Sequence, residues 1–179
     1  GIGEDSYAAK LMAEKLPEAL IASSCSKNFA MYRDRAGAIT LVSSSSDIHN
    51  TNASHLLGAV RANYSMPPDH GAAVAAYILG NAELKSEWIA EVDSMRNRVK
   101  KMRTVFVELM NEKAPNSGFG YIAEQKGMFS YLTLTSDQIQ TLINEHYIFF
   151  MGNGRVNMAG LTEDNIGYVT DAIASLFSS

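Results

Sequence analysis

An amine that follows an apolar run, with a hydroxyl three residues before it and a guanidinium eight residues after it, can do carbonyl chemistry. Here the three groups are Ser24, Lys27 and Arg35, within SSCSKNFAMYRDRAG, residues 23–37. A lysine taken out of water gives up its proton more easily and becomes nucleophilic, and a neutral amine forms Schiff bases with carbonyls. Ser24 offers a hydroxyl and Arg35 a two-pronged donor, a pair suited to a phosphate. A Schiff-base lysine beside a phosphate cradle suggests pyridoxal phosphate. From spacing alone, a solvated surface lysine stays open as the other reading.

Two more arginines and one aromatic residue are candidates. Arg61 lies in a helical stretch, Arg155 in the glycine-rich turn GNGRVN, and Phe129 in GMFSY. Taken singly, the arginines read as surface residues and Phe129 as core. His49, His55, His70 and His146 share no metal-ligand spacing with one another or with Cys25, so no metal site is expected.

The elements that must position these groups follow from patterning. A helix is expected from about Ser6 to Leu16, capped by Asp5 and stopped by Pro17. Ala19–Ala22 and Ala38–Val42 read as buried strands flanking the lysine loop. Ser43–Asp47 supplies a turn and cap for a helix from Ile48 to Tyr64, broken by Ser65-Met66-Pro67-Pro68. Gly71–Leu79 reads as a helix buried all round. Asn81 caps a long helix over Ala82–Asn111, along which Trp88, Val92, Met95, Val99, Met102 and Phe106 form an apolar stripe. At 1.5 Å per residue such a helix spans about 45 Å, long enough to join two domains. Strands are expected at Phe119–Glu124, Met128–Leu134 and Tyr147–Met151, with helices at Ser136–Glu145 and Glu163–Phe177.

Composition narrows the function classes. The 179 residues are 46% hydrophobic and 19% charged, with a net charge of −4. That is a folded, mildly acidic chain, poorly suited to nucleic-acid backbones. No apolar run reaches the roughly 18 residues that cross a bilayer, so no membrane partner is expected. One cysteine excludes an internal disulfide framework and fits a reducing, cytoplasmic setting.

Ser24-Cys25-Ser26-Lys27-Asn28-Phe29-Ala30-Met31-Tyr32-Arg33-Asp34-Arg35-Ala36-Gly37 resembles the cofactor-lysine segment of the class I pyridoxal-phosphate aminotransferases, the aspartate and aromatic amino-acid group. The usual form there is S-x-S-K-N-F-x-L-Y-x-E-R-x-G. Ala30, Met31 and Asp34 depart from the usual residues without removing a functional group. VRANYSMPPDHGA, GMFSY and GNGRVNMAGL resemble further family strings in the same order. The resemblance runs over nearly the whole chain but matches only the C-terminal portion of a longer family chain. With Gly1 rather than Met first, a fragment or processed chain is expected, its N-terminal half elsewhere.

The resemblance implies roles. Lys27 would carry the Schiff base and shuttle a proton, and Ser24 and Arg35 would hold the cofactor phosphate. Arg155 would clamp the substrate α-carboxylate, and Phe129 would line the pocket. Arg61 would reach the neighbouring subunit's site and bind a distal carboxylate, which implies a homodimer, and Ser65 would lie near the neighbour's phosphate. The implied reaction is transamination between aspartate or an aromatic amino acid and a 2-oxo acid such as 2-oxoglutarate. Met66, where a polar residue is common, leans slightly toward an apolar substrate. The implied fold class is α/β: residues 1–93 end a large cofactor-binding domain, and residues 94–179 form a small α+β domain, joined by the long helix, which could serve as a hinge. The chain alone is expected to be inactive, because the family's other cofactor contacts lie upstream of Gly1. Two other readings remain open at this point: a non-catalytic dimerisation or interaction fragment, and a lyase on the same scaffold.

Overall fold

Pro17 ends the first helical stretch, and the apolar residues after it form the first strand. In the computed structural model, which describes residues 1–177, Ala19–Ser24 (β1) pairs antiparallel with Gly37–Val42 (β2), in register from Ala19↔Val42 to Ser24↔Gly37. Residues 178 and 179 of the expected small domain lie outside the described residues. The chain divides into two compact units, Gly1–Val92 and Asp93–Ser179.

In the first unit, Ile2–Asp5 (α1) and Tyr7–Lys15 (α2) replace the single helix expected from Ser6. Asp5 lies inside α1 and so does not cap α2. Neither strand of β1–β2 is buried as expected: Leu20 is 58% and Ile39 50% exposed, because among the described residues this sheet has only two strands. Ser45 caps Ser46–Tyr64 (α3), its Oγ accepting from Ile48 N at 3.3 Å. His70–Gly80 (α4) buries only Gly71 and Ala75, while Tyr77 is 72% exposed. The expectation of burial all round fails because among the described residues only one face of this helix is covered, leaving Tyr77 and Leu79 exposed.

Ala82–Lys113 (α5) starts where expected, with Asn81 Oδ1 accepting from Glu83 N at 3.0 Å and Leu84 N at 3.1 Å. The boundary between the two units falls within this helix. Its C-terminal half builds the core of the second unit, where Met102, Phe106 and Met110 meet Phe119, Ile122, Leu142, Met158 and Ile173. Phe119 packs 6.1 Å from Phe106 and edge-on at 5.8 Å to Phe177.

Phe119–Glu124 is a stretch of 3-10 helix rather than the expected strand. Phe119 and Ile122 are both buried, a spacing of three that faces one side of a tight helix and opposite sides of a strand. The expected strand at Tyr147–Met151 is absent. Ile148 and Phe150 do pack on the core while Tyr147 and Phe149 are exposed, so the alternation is real, but no strand pairs with it. The sheet here instead joins Phe129–Tyr131 (β3) to Arg155–Asn157 (β4), antiparallel. Ser136–Asn144 (α6) begins with a reciprocal cap between Thr135 and Gln138, and Ile166–Ser175 (α7) follows a turn closed by Thr162 and Asn165.

Candidate functional site

The β1–β2 hairpin gathers the first group of residues. Cys25 N donates to Ala36 O at 3.0 Å just beyond the Ser24↔Gly37 pair. Ser24 and Arg35, eleven positions apart, therefore stand at the two feet of one loop that carries Lys27 between them. Close pairing at this point needs glycine at 37, where a Cβ would come within 2.4 Å of Ser23 O. Inside the loop, Ser26 is buried and its N–H donates to Ser24 Oγ at 3.1 Å. Arg35 adopts a left-handed backbone (φ 53°), and its Nη1 donates to Tyr32 O at 3.1 Å. Lys27 Nζ lies 5.8 Å from the centroid of the Tyr32 ring.

Two contacts brace this loop from outside. Trp88, on α5, donates from Nε1 to Asn28 O at 2.8 Å and stacks on Phe29 at 4.9 Å and 14°. Gly71, at the start of α4, lies so close that a Cβ there would meet Asp34 Cβ at 2.7 Å and Ala36 Cβ at 3.0 Å. The sequence presents Trp88 as one more member of an apolar stripe. Its signal is its place at the stripe's N-terminal end, away from the core-forming Met102 and Phe106. Ser24, Lys27 and Arg35 are exposed. The expected desolvation of the lysine is therefore not supplied by the described residues.

Arg61 occupies the last turn of α3, and its carbonyl accepts from Ser65 N at 3.1 Å. Ser65 ends the helix with φ 63°. Both side chains are exposed.

In the second unit, the β3–β4 register brings Arg155 and Phe129 together. Tyr131 is opposite Arg155 and Phe129 opposite Asn157, so Phe129 and Arg155 are diagonal neighbours on one face. The Arg155 guanidinium carbon sits 4.8 Å from the Phe129 ring centroid, and Nη2 donates to Met151 Sδ at 2.7 Å. Gly154 (φ 80°) makes the approach possible: a Cβ there would come 2.4 Å from Leu132 O, and Leu132 N donates to Gly154 O at 2.9 Å. An aromatic face and a thioether leave a guanidinium its charge, so Arg155 can still receive a carboxylate.

Arg103, which nothing in the sequence marks, anchors the same sheet from α5. It is 3% exposed, and burial holds its guanidinium below its ordinary pKa. Nη1 donates to Gly127 O at 2.8 Å, and Nη2 to Phe129 O at 3.0 Å and Ser130 Oγ at 3.2 Å. Nearer α7, a hydrogen bond from Lys101, with its charge, holds the Glu163 carboxyl below its ordinary pKa.

The first unit thus offers an amine between a hydroxyl and a guanidinium, and the second a half-buried arginine on an aromatic ring. Among the described residues no group of His, Cys, Asp or Glu could hold a metal ion, and no helix is long and apolar enough to cross a membrane.

Comparison with known proteins gives this arrangement a context. The pattern of the family described as aminotransferase class I and II matches residues 2–173. An aspartate aminotransferase of Haemophilus influenzae is 43% identical over 98% of this chain and 44% of its own length. An aromatic-amino-acid aminotransferase of Pseudomonas aeruginosa is 40% identical over the same shares. Among solved structures, an aromatic-amino-acid aminotransferase from Burkholderia pseudomallei covalently bound to pyridoxal phosphate superposes with a TM-score of 0.95 at 36% identity, covering 99% of this chain and 45% of that one. The α/β fold expected from the sequence is the fold of these neighbours, and the chain spans about 44% of the length of the curated relatives it matches.

Proposed function

The chain belongs to the aminotransferase class I and II family, and on that premise we propose that it serves in transamination between aspartate or an aromatic amino acid and a 2-oxo acid such as 2-oxoglutarate, with pyridoxal phosphate at Lys27. The observation that carries this reading is the closure of the β1–β2 loop, which sets Ser24 and Arg35 at the feet of the loop bearing Lys27. That donor set suits a ligand with one aldehyde and one phosphate: an amine for the first, a hydroxyl and a guanidinium for the second. When bound, pyridoxal phosphate supplies an electron sink for the electron pair left when the substrate's Cα–H bond breaks.

The remaining work falls to the protein's own side chains. Lys27 Nζ would hold the cofactor through its aldehyde, and its amine would carry a proton to and from the substrate Cα. Arg155 receives the α-carboxylate, its guanidinium plane steadied by Phe129 and Met151. Arg61 and Ser65, exposed at the end of α3, serve the neighbouring site of a homodimer, Arg61 toward a distal carboxylate and Ser65 toward a phosphate. The compartment is the cytoplasm, in keeping with the free thiol of Cys25. The 179-residue chain alone does not turn over, because Lys27 is exposed and the described residues do not close its loop off from water.

The test is a chimera in which this chain replaces the matching 44% of the Haemophilus influenzae relative. Transamination of aspartate or an aromatic amino acid is expected from the chimera, falling by about 1,000-fold or more in Lys27→Ala. A folded chimera with no turnover would refute the functional reading. Turnover by the 179-residue chain alone would refute its inactivity.

A further inference from the structure

We infer that Arg103 is a positioning residue for Arg155: by pinning the carbonyl of Phe129 it holds the Phe129 ring against the Arg155 guanidinium. The inference rests on the reading of Arg155 as the carboxylate-binding residue.

Arg103 is buried, and none of the described ion pairs involves it. Its Nε is also buried and has no hydrogen-bond partner. Burying an unpaired guanidinium is costly, and an apolar side chain of similar length fills such a space at lower cost. Stability alone therefore does not account for an arginine here. What an apolar residue cannot do, and what lysine does poorly, is grip three acceptors in one plane at once. Those acceptors are Gly127 O, Phe129 O and Ser130 Oγ, all within four consecutive residues. Gly127, at φ 84°, takes a left-handed backbone open to few other residues.

The grip falls where it matters for the neighbouring strand. Carbonyls on both sides of Met128 are fixed, so the backbone that aims the Phe129 ring has little freedom to rotate. On the outer face of the sheet that ring lies diagonal to Arg155, 4.8 Å from its guanidinium carbon. On the inner face Ser130 is 1% exposed and meets Arg103. Alternation along β3 thus converts a buried hydrogen bond on one side into an orientation on the other. A guanidinium held in place beforehand loses less freedom when a carboxylate arrives, and so binds it more tightly.

The test uses the 179-residue chain with its arginine Nε–H groups observed by NMR and propionate as the carboxylate probe. Arg155→Lys identifies the Arg155 signal by its loss. In the unsubstituted chain that signal is expected to carry a ring-current shift from Phe129 and to move saturably with propionate. In Arg103→Lys the ring-current shift should shrink and propionate affinity fall about fivefold or more. Ser130→Ala, which removes one of the three bonds and no charge, should give a smaller change in the same direction, and it decides the matter if Arg103→Lys does not fold. If the ring-current shift and affinity both stay within twofold of the parent, Arg103 is only structural and the inference is wrong. If the parent's Arg155 signal does not respond to propionate at all, the reading of Arg155 itself fails, and the inference falls with it.

Discussion

Gly154 is the residue on which the placement of Arg155 turns. Its φ of 80° is in the left-handed region, and the space a Cβ would need is filled by Leu132 O at 2.4 Å. Gly154→Ala should therefore destabilise the second unit by roughly 2–4 kcal/mol, read from thermal melting; a loss under about 0.5 kcal/mol would mean the turn relaxes freely. Glu163 gives a prediction of the opposite kind, small and pH-dependent. Its carboxyl is held below the ordinary value by Lys101, so its contribution is full above an unfolded pKa of about 4.3 and is lost as pH falls through the folded value. The pair is exposed, so the effect is modest. Glu163→Gln should lower stability slightly at neutral pH, with the two stability profiles converging as pH falls below about 4.3; a difference that stays the same from neutral to acid pH would contradict this.

Among the elements, α5 does the most positioning. Trp88 near its start grips the Lys27 loop, and Arg103 farther along grips β3. Trp88→Phe keeps a ring for Phe29 to stack on and removes the bond to Asn28 O, so the first unit should lose about 1 kcal/mol. Because Trp88 is the sole tryptophan, its fluorescence in the parent reports directly on this loop. A variant as stable as the parent would show the bond to be dispensable.

The helix itself is legible in the sequence, from the Asn81 cap to the stripe through Met102 and Phe106. Its two grips are not. Both end on backbone carbonyls distant in the sequence, 60 residues for Trp88 and up to 26 for Arg103, and a carbonyl leaves no mark on residue type. The strands show the same limit. Alternation at Tyr147–Met151 promises a strand that pairs with nothing, while the real partner of β3 is only three residues long, Arg155–Asn157, behind a glycine that reads as a turn. The site strings fare better. Ser24, Lys27 and Arg35 lie on one loop, so their grouping is local; Phe129 and Arg155 meet only through a register that spacing does not reveal.

At the scale of the whole molecule, the two units differ in how much they bury. Of the buried apolar side chains among the described residues, Ala75 alone lies in the first unit; the others, from Met102 to Ala174, lie in the second. Hydrogen exchange on the 179-residue chain should therefore protect α7 and the second half of α5 by far more than β1 and β2. Equal protection of β1–β2 and α7 would mean the first unit has a core that the burial pattern does not reveal. The contrast bears on function, since the residues proposed to hold the cofactor are on the sparsely buried unit and the proposed carboxylate clamp is on the well-packed one. The central claim is that Lys27 is the amine that takes the cofactor's aldehyde. The most direct measurement is borohydride reduction of the purified chain after incubation with pyridoxal phosphate, followed by peptide mass mapping. A pyridoxyl adduct confined to Lys27, absent from Lys27→Ala, is the predicted result; an adduct spread evenly over the lysines, or found mainly at another one, would contradict the account.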